Sequence, residues 1–127
     1  MAAAVSVSED GAGAAQRHAR GTPGYPTALE GLASPPAAVW TLGTWTASTA
    51  VAVVGTRAAT DYGLRTTREL VRVLARAGVG IVSGMATGID AAAHRAALEF
   101  GAPTLAVLGT GIDVPYPAHH RALHRTL

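Results

Sequence analysis

The amino-acid sequence predicts an α/β fold of the Rossmann-like type, with a parallel sheet built in the order βαβαβα. Short runs of apolar, largely β-branched residues alternate with longer amphipathic segments. Strands that are apolar on both faces are typical of a parallel sheet covered by helices on both sides. The 127 residues are 49% hydrophobic and 14% charged. This composition suffices for the core of one domain and excludes a chain that is disordered throughout.

Three strand–helix pairs account for the second half of the chain. Thr60 or Asp61 can cap the first helix, and Gly78 can end it in the left-handed conformation. Pro117 suits the first turn of the last helix. Because three or four strands are few for such a sheet, the sequence predicts an incomplete Rossmann-like domain. The predicted elements are strands near 51–54, 79–83 and 104–108 and helices near 62–77, 90–100 and 117–126.

Composition divides the chain into three parts. Residues 1–20 are rich in alanine and glycine without an apolar period, which predicts a disordered tail. Residues 21–49 carry prolines and glycines in pairs such as Pro23-Gly24 and Pro35-Pro36, so we expect an irregular lead-in segment with a short edge strand near 39–42. Its two tryptophans are expected to cover the edge of the sheet. Residues 50–127 form the partial Rossmann-like domain.

Several classes of protein are excluded by what the sequence lacks. There is no cysteine, which excludes disulfides, thiolate metal sites and cysteine nucleophiles. No run of about 18 apolar residues is present, so we expect no membrane association, and the N-terminus lacks the basic region of a secretory signal. The expected location is therefore cytoplasmic. A net charge of +2 is weak support for an anionic partner.

Each predicted strand runs into a loop of small residues at its carboxyl end. Ligands of open α/β sheets bind beyond these ends, where helix N-termini also point. Small residues let an anion approach backbone N–H groups, and Arg57 adds a forked cation suited to phosphate. Glycines that merely make tight turns explain any single loop equally well, whereas three such loops with Arg57 favour an anion-binding rim. The candidate phosphate-binding residues are Gly55, Thr56, Arg57, Ser83, Gly84, Gly109, Thr110 and Gly111.

None of these loops has the spacing of a known nucleotide-binding motif. The Gly-x-Gly-x-x-Gly fingerprint of dinucleotide sites is missing, and a Walker A loop is excluded because the chain has no lysine. Hydrolysis of a nucleoside triphosphate therefore has no support, and we expect no cofactor.

Two groups of histidines could carry chemistry. Asp90 and His94 lie one helical turn apart, as an acid/base pair would, with Ser83 or Thr87 as a nominal nucleophile. A carboxylate in a first helical turn is also favoured by the helix dipole, and we prefer the interpretation of a hydrogen-bonded structural pair. A second cluster, His119, His120 and His124, has the spacing of a metal pair but no nearby carboxylate. For this cluster we expect a solvated helix face and no metal.

A series of short motifs resembles the DNA processing protein A family (DprA, also called Smf). The resemblance covers about residues 24–127, and the order and spacing of the motifs make it highly specific. The motifs are 51–57 (VAVVGTR), Tyr62-Gly63, 83–90 (SGMATGID) with Ala93-His94, Ala97-Leu98, and 106–113 (AVLGTGID) with Tyr116-Pro117, preceded by Tyr25-Pro26, Leu29, Pro36, Val39-Trp40 and Gly43.

This resemblance implies a non-enzymatic role. Family members bind single-stranded DNA, protect it, and help to load the RecA recombinase during natural transformation. The resemblance thus implies a role in competence and DNA recombination. They usually form homodimers. The resemblance also implies that Gly55-Thr56-Arg57 and Ser83-Gly84 contribute to the phosphate-binding pocket.

The sequence departs from the family pattern in informative places. Thr56 replaces a serine and keeps the hydroxyl, whereas Thr87 and Leu42 stand where the family often has arginine, which reduces positive charge. The sequence ends before a second Ser-Glu motif and a Phe-Pro-x-Arg-Asn-Arg segment, so we expect a fragment or a truncated gene product. The alternative function is that of a related Rossmann-like phosphoribohydrolase, but its Pro-Gly-Gly-x-Gly-Thr motif and downstream glutamate are absent.

Overall fold

Two sheets organise the protein in the computed structural model, which describes residues 14–127. A two-stranded antiparallel sheet pairs β1 (Gln16–Ala19) with β2 (Ala38–Thr41), and a three-stranded parallel sheet follows. The elements of the second part are β3 (Ala50–Ala52), α1 (Asp61–Arg76), β4 (Gly80–Ser83), α2 (Ile89–Glu99), β5 (Thr104–Ala106) and α3 (Arg121–Thr126). The strands lie in the order β3-β4-β5 with both pairs parallel, which confirms the predicted α/β fold.

The antiparallel pair differs from the tail expected over residues 1–20. Residues 1–13 lie outside the described residues, but β1 is an ordered strand. Its ladder partner is β2, the expected short strand near 39–42. Arg17 lies opposite Trp40, with the guanidinium carbon 5.6 Å from the centroid of that ring. The strand forms because a partner distant in sequence supplies its backbone hydrogen bonds, which local composition does not reveal. A short 3₁₀ helix, Thr27–Gly31, lies between the two strands.

The first helix has the ends that the sequence predicts. Thr60 is the N-cap, and its hydroxyl accepts a hydrogen bond of 3.2 Å from the Gly63 N–H. Gly78 follows the helix with φ +72°, the left-handed conformation that glycine adopts without strain. The inward face contributes fully buried Val71 to the main core. None of the helices within residues 14–127 is long and apolar enough to cross a membrane.

Both long helices cover the same face of the parallel sheet, so the expectation of two covered faces was wrong. The main core lies between this face and the helices, around Ile81 of β4, Val71 of α1 and Ala93 of α2. Two right-handed crossovers that progress in one direction across a sheet place both helices on one side. On the opposite face Val82 and Leu105 are half-buried.

That opposite face is covered in part by the lead-in segment. A Cβ added to Gly80 would lie 2.6 Å from the ring of Trp45 and 2.7 Å from the Cβ of Ala47. The indole therefore lies directly over the backbone of β4 at Gly80, where any side chain would collide with it. Trp45 thus covers the central strand of the sheet and Trp40 belongs to the antiparallel pair, so the expectation that both tryptophans cover the sheet edge was wrong.

The last helix begins later than predicted. Pro117 has the extended conformation (φ −67°, ψ 155°), so it precedes the helical residues instead of starting them. Ala118–His120 forms a 3₁₀ turn and α3 follows directly. Leu123 of α3 packs with Met85, Ala106 and Leu108 in a second apolar cluster beside α2.

Candidate functional site

The loops after the three parallel strands meet at a cleft of about 200 Å³. This volume is smaller than the ~300–1,000 Å³ typical of sites for drug-sized ligands. It suits a phosphate with part of its sugar better than an enclosed nucleotide. The residues that line the cleft are Arg57, Gly84, Ala86, Leu108, Gly109, Thr110 and Tyr116.

Four of the eight candidate phosphate-binding residues line this cleft, and four do not. Arg57, Gly84, Gly109 and Thr110 lie in its wall, one or two from each loop. The other four belong to the same loops but are not part of the cleft wall; they are Gly55, Thr56, Ser83 and Gly111. The structure thus brings the three loops together as the strand ends require, and the phosphate-binding role of the residues stays a prediction.

Two polar groups that the sequence assigned to the site already have partners within the chain. The hydroxyl of buried Ser83 donates a hydrogen bond of 2.7 Å to the Val53 carbonyl and so joins β4 to the end of β3. The Gly84 N–H donates to Asp90 Oδ2 at 3.1 Å. Both bonds hold the second loop in place, and neither of these two groups is free for an anion.

The first loop packs directly against the start of α2 at Gly88. This residue has φ +85° and ψ −126°, outside the range that L-residues adopt. A Cβ there would lie 2.9 Å from the Arg57 carbonyl carbon and closer still to the Thr56 carbonyl oxygen. The same Thr56 oxygen accepts a hydrogen bond of 3.2 Å from the Ile89 N–H. Gly88 therefore permits the contact that fixes the backbone of Arg57 at the cleft.

Arg57 is the cation of the cleft. It is exposed, and no carboxylate within residues 14–127 forms an ion pair with it. Two of the four arginines of α1 differ, because Arg68 pairs with Glu69 and Glu99 and Arg72 pairs with Glu69. The hydrogen bonds that Arg68 donates to the Glu99 carboxylate also raise the pKa of Arg68. The charges of Arg68 and Arg72 are thus neutralised locally, whereas that of Arg57 is not.

The N-terminus of α2 adds less positive potential than its position suggests. Asp90 lies in the first turn, is buried, and carries the carboxylate that accepts from Gly84. A carboxylate at this place offsets the partial positive charge of the helix end. The attraction for an anion therefore depends chiefly on Arg57.

His120 forms a hydrogen bond to the loop that follows β4. Met85, in the middle of that loop, has φ +63° and is 1% exposed. The Nδ1–H of His120 donates to its carbonyl oxygen at 3.0 Å. A left-handed methionine is strained, and this hydrogen bond helps to keep it in place.

The expectation of a solvated face for the histidine cluster is therefore wrong at His120, which is 3% exposed. The sequence did contain a sign of this, because His120 shares a helical face with Leu123 and Leu127, three and seven residues later. His119 is exposed and lies edge-to-face against the His120 ring. No group of three side chains able to hold a metal ion occurs in the part of the chain from residue 14 onward.

Asp90 and His94 do not bond each other, contrary to the pairing expected from their spacing. His94 is fully buried, and its Nδ1 shares a hydrogen bond of 2.8 Å with the hydroxyl of Thr104 on β5. Its Nε2 has no hydrogen-bond partner among residues 14–127. Burial lowers the pKa of His94 to about 4, against the opposing influence of the Asp90 carboxylate. Asp90 bonds the loop after β4, His94 bonds the first residue of β5, and the Ser83 hydroxyl bonds the Val53 carbonyl. These side chains are therefore not arranged as an acid/base pair with a nucleophile.

The sequence reasoning missed three residues of the cleft: Ala86, Leu108 and Tyr116. Ala86 belongs to the second predicted loop and Leu108 is the last residue of the third predicted strand; both add apolar surface to the wall. Tyr116 lies five residues beyond the third loop, and only the family motif that contains it pointed to this position.

Comparisons with known proteins match most of the chain. The family model for DNA recombination-mediator protein A matches residues 17–127. A protein of Mycobacterium tuberculosis whose name includes the words DNA processing protein DprA is 53% identical over 95 residues, 71% of this chain and 24% of that protein. Protein Smf of Synechocystis is 43% identical over 107 residues, 80% of this chain and 27% of that protein.

A solved structure gives the same result for the fold. The X-ray structure of DprA from Streptococcus pneumoniae matches with a TM-score of 0.74 and 34% sequence identity, over 86% of this chain and 39% of that chain. The present chain spans about a quarter of the length of the curated relatives named above. Its parallel sheet, its glycine loops and the match over residues 17–127 lead to one conclusion: this chain belongs to the DNA recombination-mediator protein A family, that of DprA and Smf.

Proposed function

We propose that the chain binds the sugar–phosphate backbone of single-stranded DNA at the cleft, as part of a DNA-processing role in natural transformation and recombination. The observation that carries the proposal is the unpaired guanidinium of Arg57 among small residues at the carboxyl ends of parallel strands. An arginine fork matches the geometry of a phosphate, and glycines allow the strand to come close. Family membership supports DNA as the source of that phosphate.

The lining of the cleft favours binding over catalysis. Its seven residues offer a guanidinium, one threonine hydroxyl, one phenol and apolar or glycine surface. Acid/base chemistry on a glycosidic bond needs a positioned carboxylate or imidazole. The pair that the sequence offered for such chemistry, Asp90 and His94, is buried and bonded to Gly84 and Thr104. We therefore propose a non-enzymatic role in preference to that of a phosphoribohydrolase.

Further aspects of the proposed role rest on the family alone. Loading of RecA, protection of incoming DNA, homodimer formation and a cytoplasmic location are proposals drawn from the family, of whose curated relatives the chain spans about a quarter. The supporting observation is the family match, together with motifs that run through the loops of the cleft.

Titration of labelled oligo-dT, followed by fluorescence anisotropy at low and at moderate salt, tests the proposed binding. We expect saturable binding that weakens as salt rises, because phosphate contacts release counterions. A parallel incubation with nucleoside monophosphates, analysed by chromatography, should yield no free base. Release of free base would contradict the proposal. So would a failure to bind oligo-dT at low salt, provided that circular dichroism shows the chain to be folded.

A further inference from the structure

An exposed aromatic ring lies at the same cleft as Arg57. Tyr116 is 60% exposed and forms part of the cleft wall, next to Gly109 and Thr110 of the third loop. A large ring left in solvent beside a cation is more than the wall of an anion site requires. It offers a flat apolar surface in the same cleft as the guanidinium.

The other exposed aromatic residues lie elsewhere. Tyr62 is 73% exposed in the first turn of α1 and is not part of the cleft lining. Trp40 lies against Arg17 in the antiparallel pair, and Trp45 lies over Gly80. Among residues 14–127, Tyr116 is the one aromatic residue that lines the cleft.

The segment that carries Tyr116 is held in place by local bonds. The Val114 N–H donates to the Gly111 carbonyl at 2.9 Å, and the Thr110 hydroxyl donates to the Val114 carbonyl at 3.2 Å. Prolines on both sides of Tyr116 restrict its backbone further. The ring is therefore presented at a defined position, and little conformational entropy remains to be lost when a ligand stacks on it.

A guanidinium and a flat ring at one cleft match the two parts of an unpaired nucleotide. The guanidinium suits the phosphate, and the aromatic face suits a base, which every nucleotide offers irrespective of its identity. A duplex presents phosphates to Arg57 but keeps its bases in the helical stack. On the basis of the proposed function, we propose that Tyr116 stacks on a base of the strand whose phosphate Arg57 holds.

Two oligonucleotides of equal length separate the phosphate contact from the base contact. One is oligo-dT, and the other is an abasic strand that keeps the deoxyribose-phosphate backbone without bases. Tyr116→Leu keeps apolar bulk and removes the ring; we expect it to weaken binding to oligo-dT by about fivefold or more, the lower end of the measured effect of a stacking residue. Binding to the abasic strand should not change. Tyr116→Trp should restore the affinity for oligo-dT.

Two control variants make the result specific. Tyr62→Leu removes an exposed tyrosine away from the cleft and should change neither affinity. Arg57→Ala should weaken both strands by the same factor, because a phosphate contact does not depend on bases. Thermal melts of each variant establish that it is folded at the temperature of the titration.

The outcomes distinguish this inference from the proposed function. If the wild-type chain binds both strands through Arg57, and Tyr116→Leu weakens neither or weakens both equally, base stacking is wrong and the phosphate site stands. If the folded wild-type chain binds neither strand at low salt, the proposed function and this inference both fail.

Discussion

Replacing Gly88 by alanine should disturb both the stability of the chain and its cleft. Gly88 lies at the junction where the Thr56–Arg57 backbone contacts the start of α2. An added Cβ would lie 2.9 Å from the carbonyl carbon and oxygen of Arg57, whereas ordinary van der Waals contact begins near 3.4 Å. The obstacle is backbone and not a mobile side chain, so the loop that carries Arg57 has to move by about 0.5 Å or more.

The size of the effect follows from two contributions. A non-glycine residue at the dihedral angles of Gly88 costs about 1–3 kcal/mol in backbone strain. Displacement of packed backbone adds about 1–3 kcal/mol, the usual cost of overpacking. Gly101 provides a matched control, because it has φ +68° and nothing within 4 Å of an added Cβ. Gly101→Ala should therefore cost only about 1–2 kcal/mol, the price of a left-handed alanine.

Urea unfolding of the two variants and the wild type measures the difference. We expect Gly88→Ala to lose at least about 1 kcal/mol more than Gly101→Ala, because only the former adds the displacement of packed backbone. At a temperature where both variants are folded, Gly88→Ala should also weaken binding of oligo-dT by up to about tenfold, the loss of one charge-assisted hydrogen bond. Equal stability of the two variants, with equal affinity for oligo-dT, would refute the role of Gly88 at the junction.

Two further predictions concern the buried histidines. Because the pKa of His94 falls from 6.5 to about 4 on folding, the unfolded chain binds more protons between these values, and stability is lost as pH falls. Between pH 7 and pH 5 the free energy of unfolding should fall by about 2 kcal/mol because of His94. Urea unfolding at both pH values should show a smaller fall for His94→Gln than for the wild type. An equal fall would contradict the lowered pKa of His94. His120→Leu leaves the buried Met85 carbonyl without its donor and should cost about 1–3 kcal/mol. The exposed neighbour is the control, since His119→Ala should stay within about 0.5 kcal/mol of wild type, and similar losses from both variants in thermal melts would argue against the loop contact.

The alternation of apolar runs and amphipathic segments was sufficient to predict the parallel sheet and its helices. These elements depend on local pattern and on caps such as Thr60 and Gly78, which are visible in the sequence. The strand β1 was not predicted, because its hydrogen-bond partner lies some twenty residues away. The one-sided arrangement of the helices was also missed, since it depends on the spatial order of the strands and not on any local pattern.

The candidate site was predicted in place but not in detail. Strand ends and small residues located the cleft, and Arg57 lies in its wall. The sequence could not tell that the Ser83 hydroxyl bonds the Val53 carbonyl or that Asp90 accepts from Gly84. Which polar group turns towards the sheet and which towards solvent is decided by tertiary packing, and residue type alone does not specify it.

The salt dependence of DNA binding by Arg57→Ala tests the central claim most directly. Its matched control is Arg65→Ala, which removes an arginine from α1 that is also exposed; neither arginine has a carboxylate partner among residues 14–127. If Arg57 contacts a phosphate, Arg57→Ala weakens oligo-dT and mixed-sequence strands by similar factors and reduces the slope of log affinity against log salt by about 0.7. Arg65→Ala then leaves the slope unchanged. An unchanged slope for Arg57→Ala, with the reduction found for Arg65→Ala instead, would place the DNA on the helix surface and contradict the cleft.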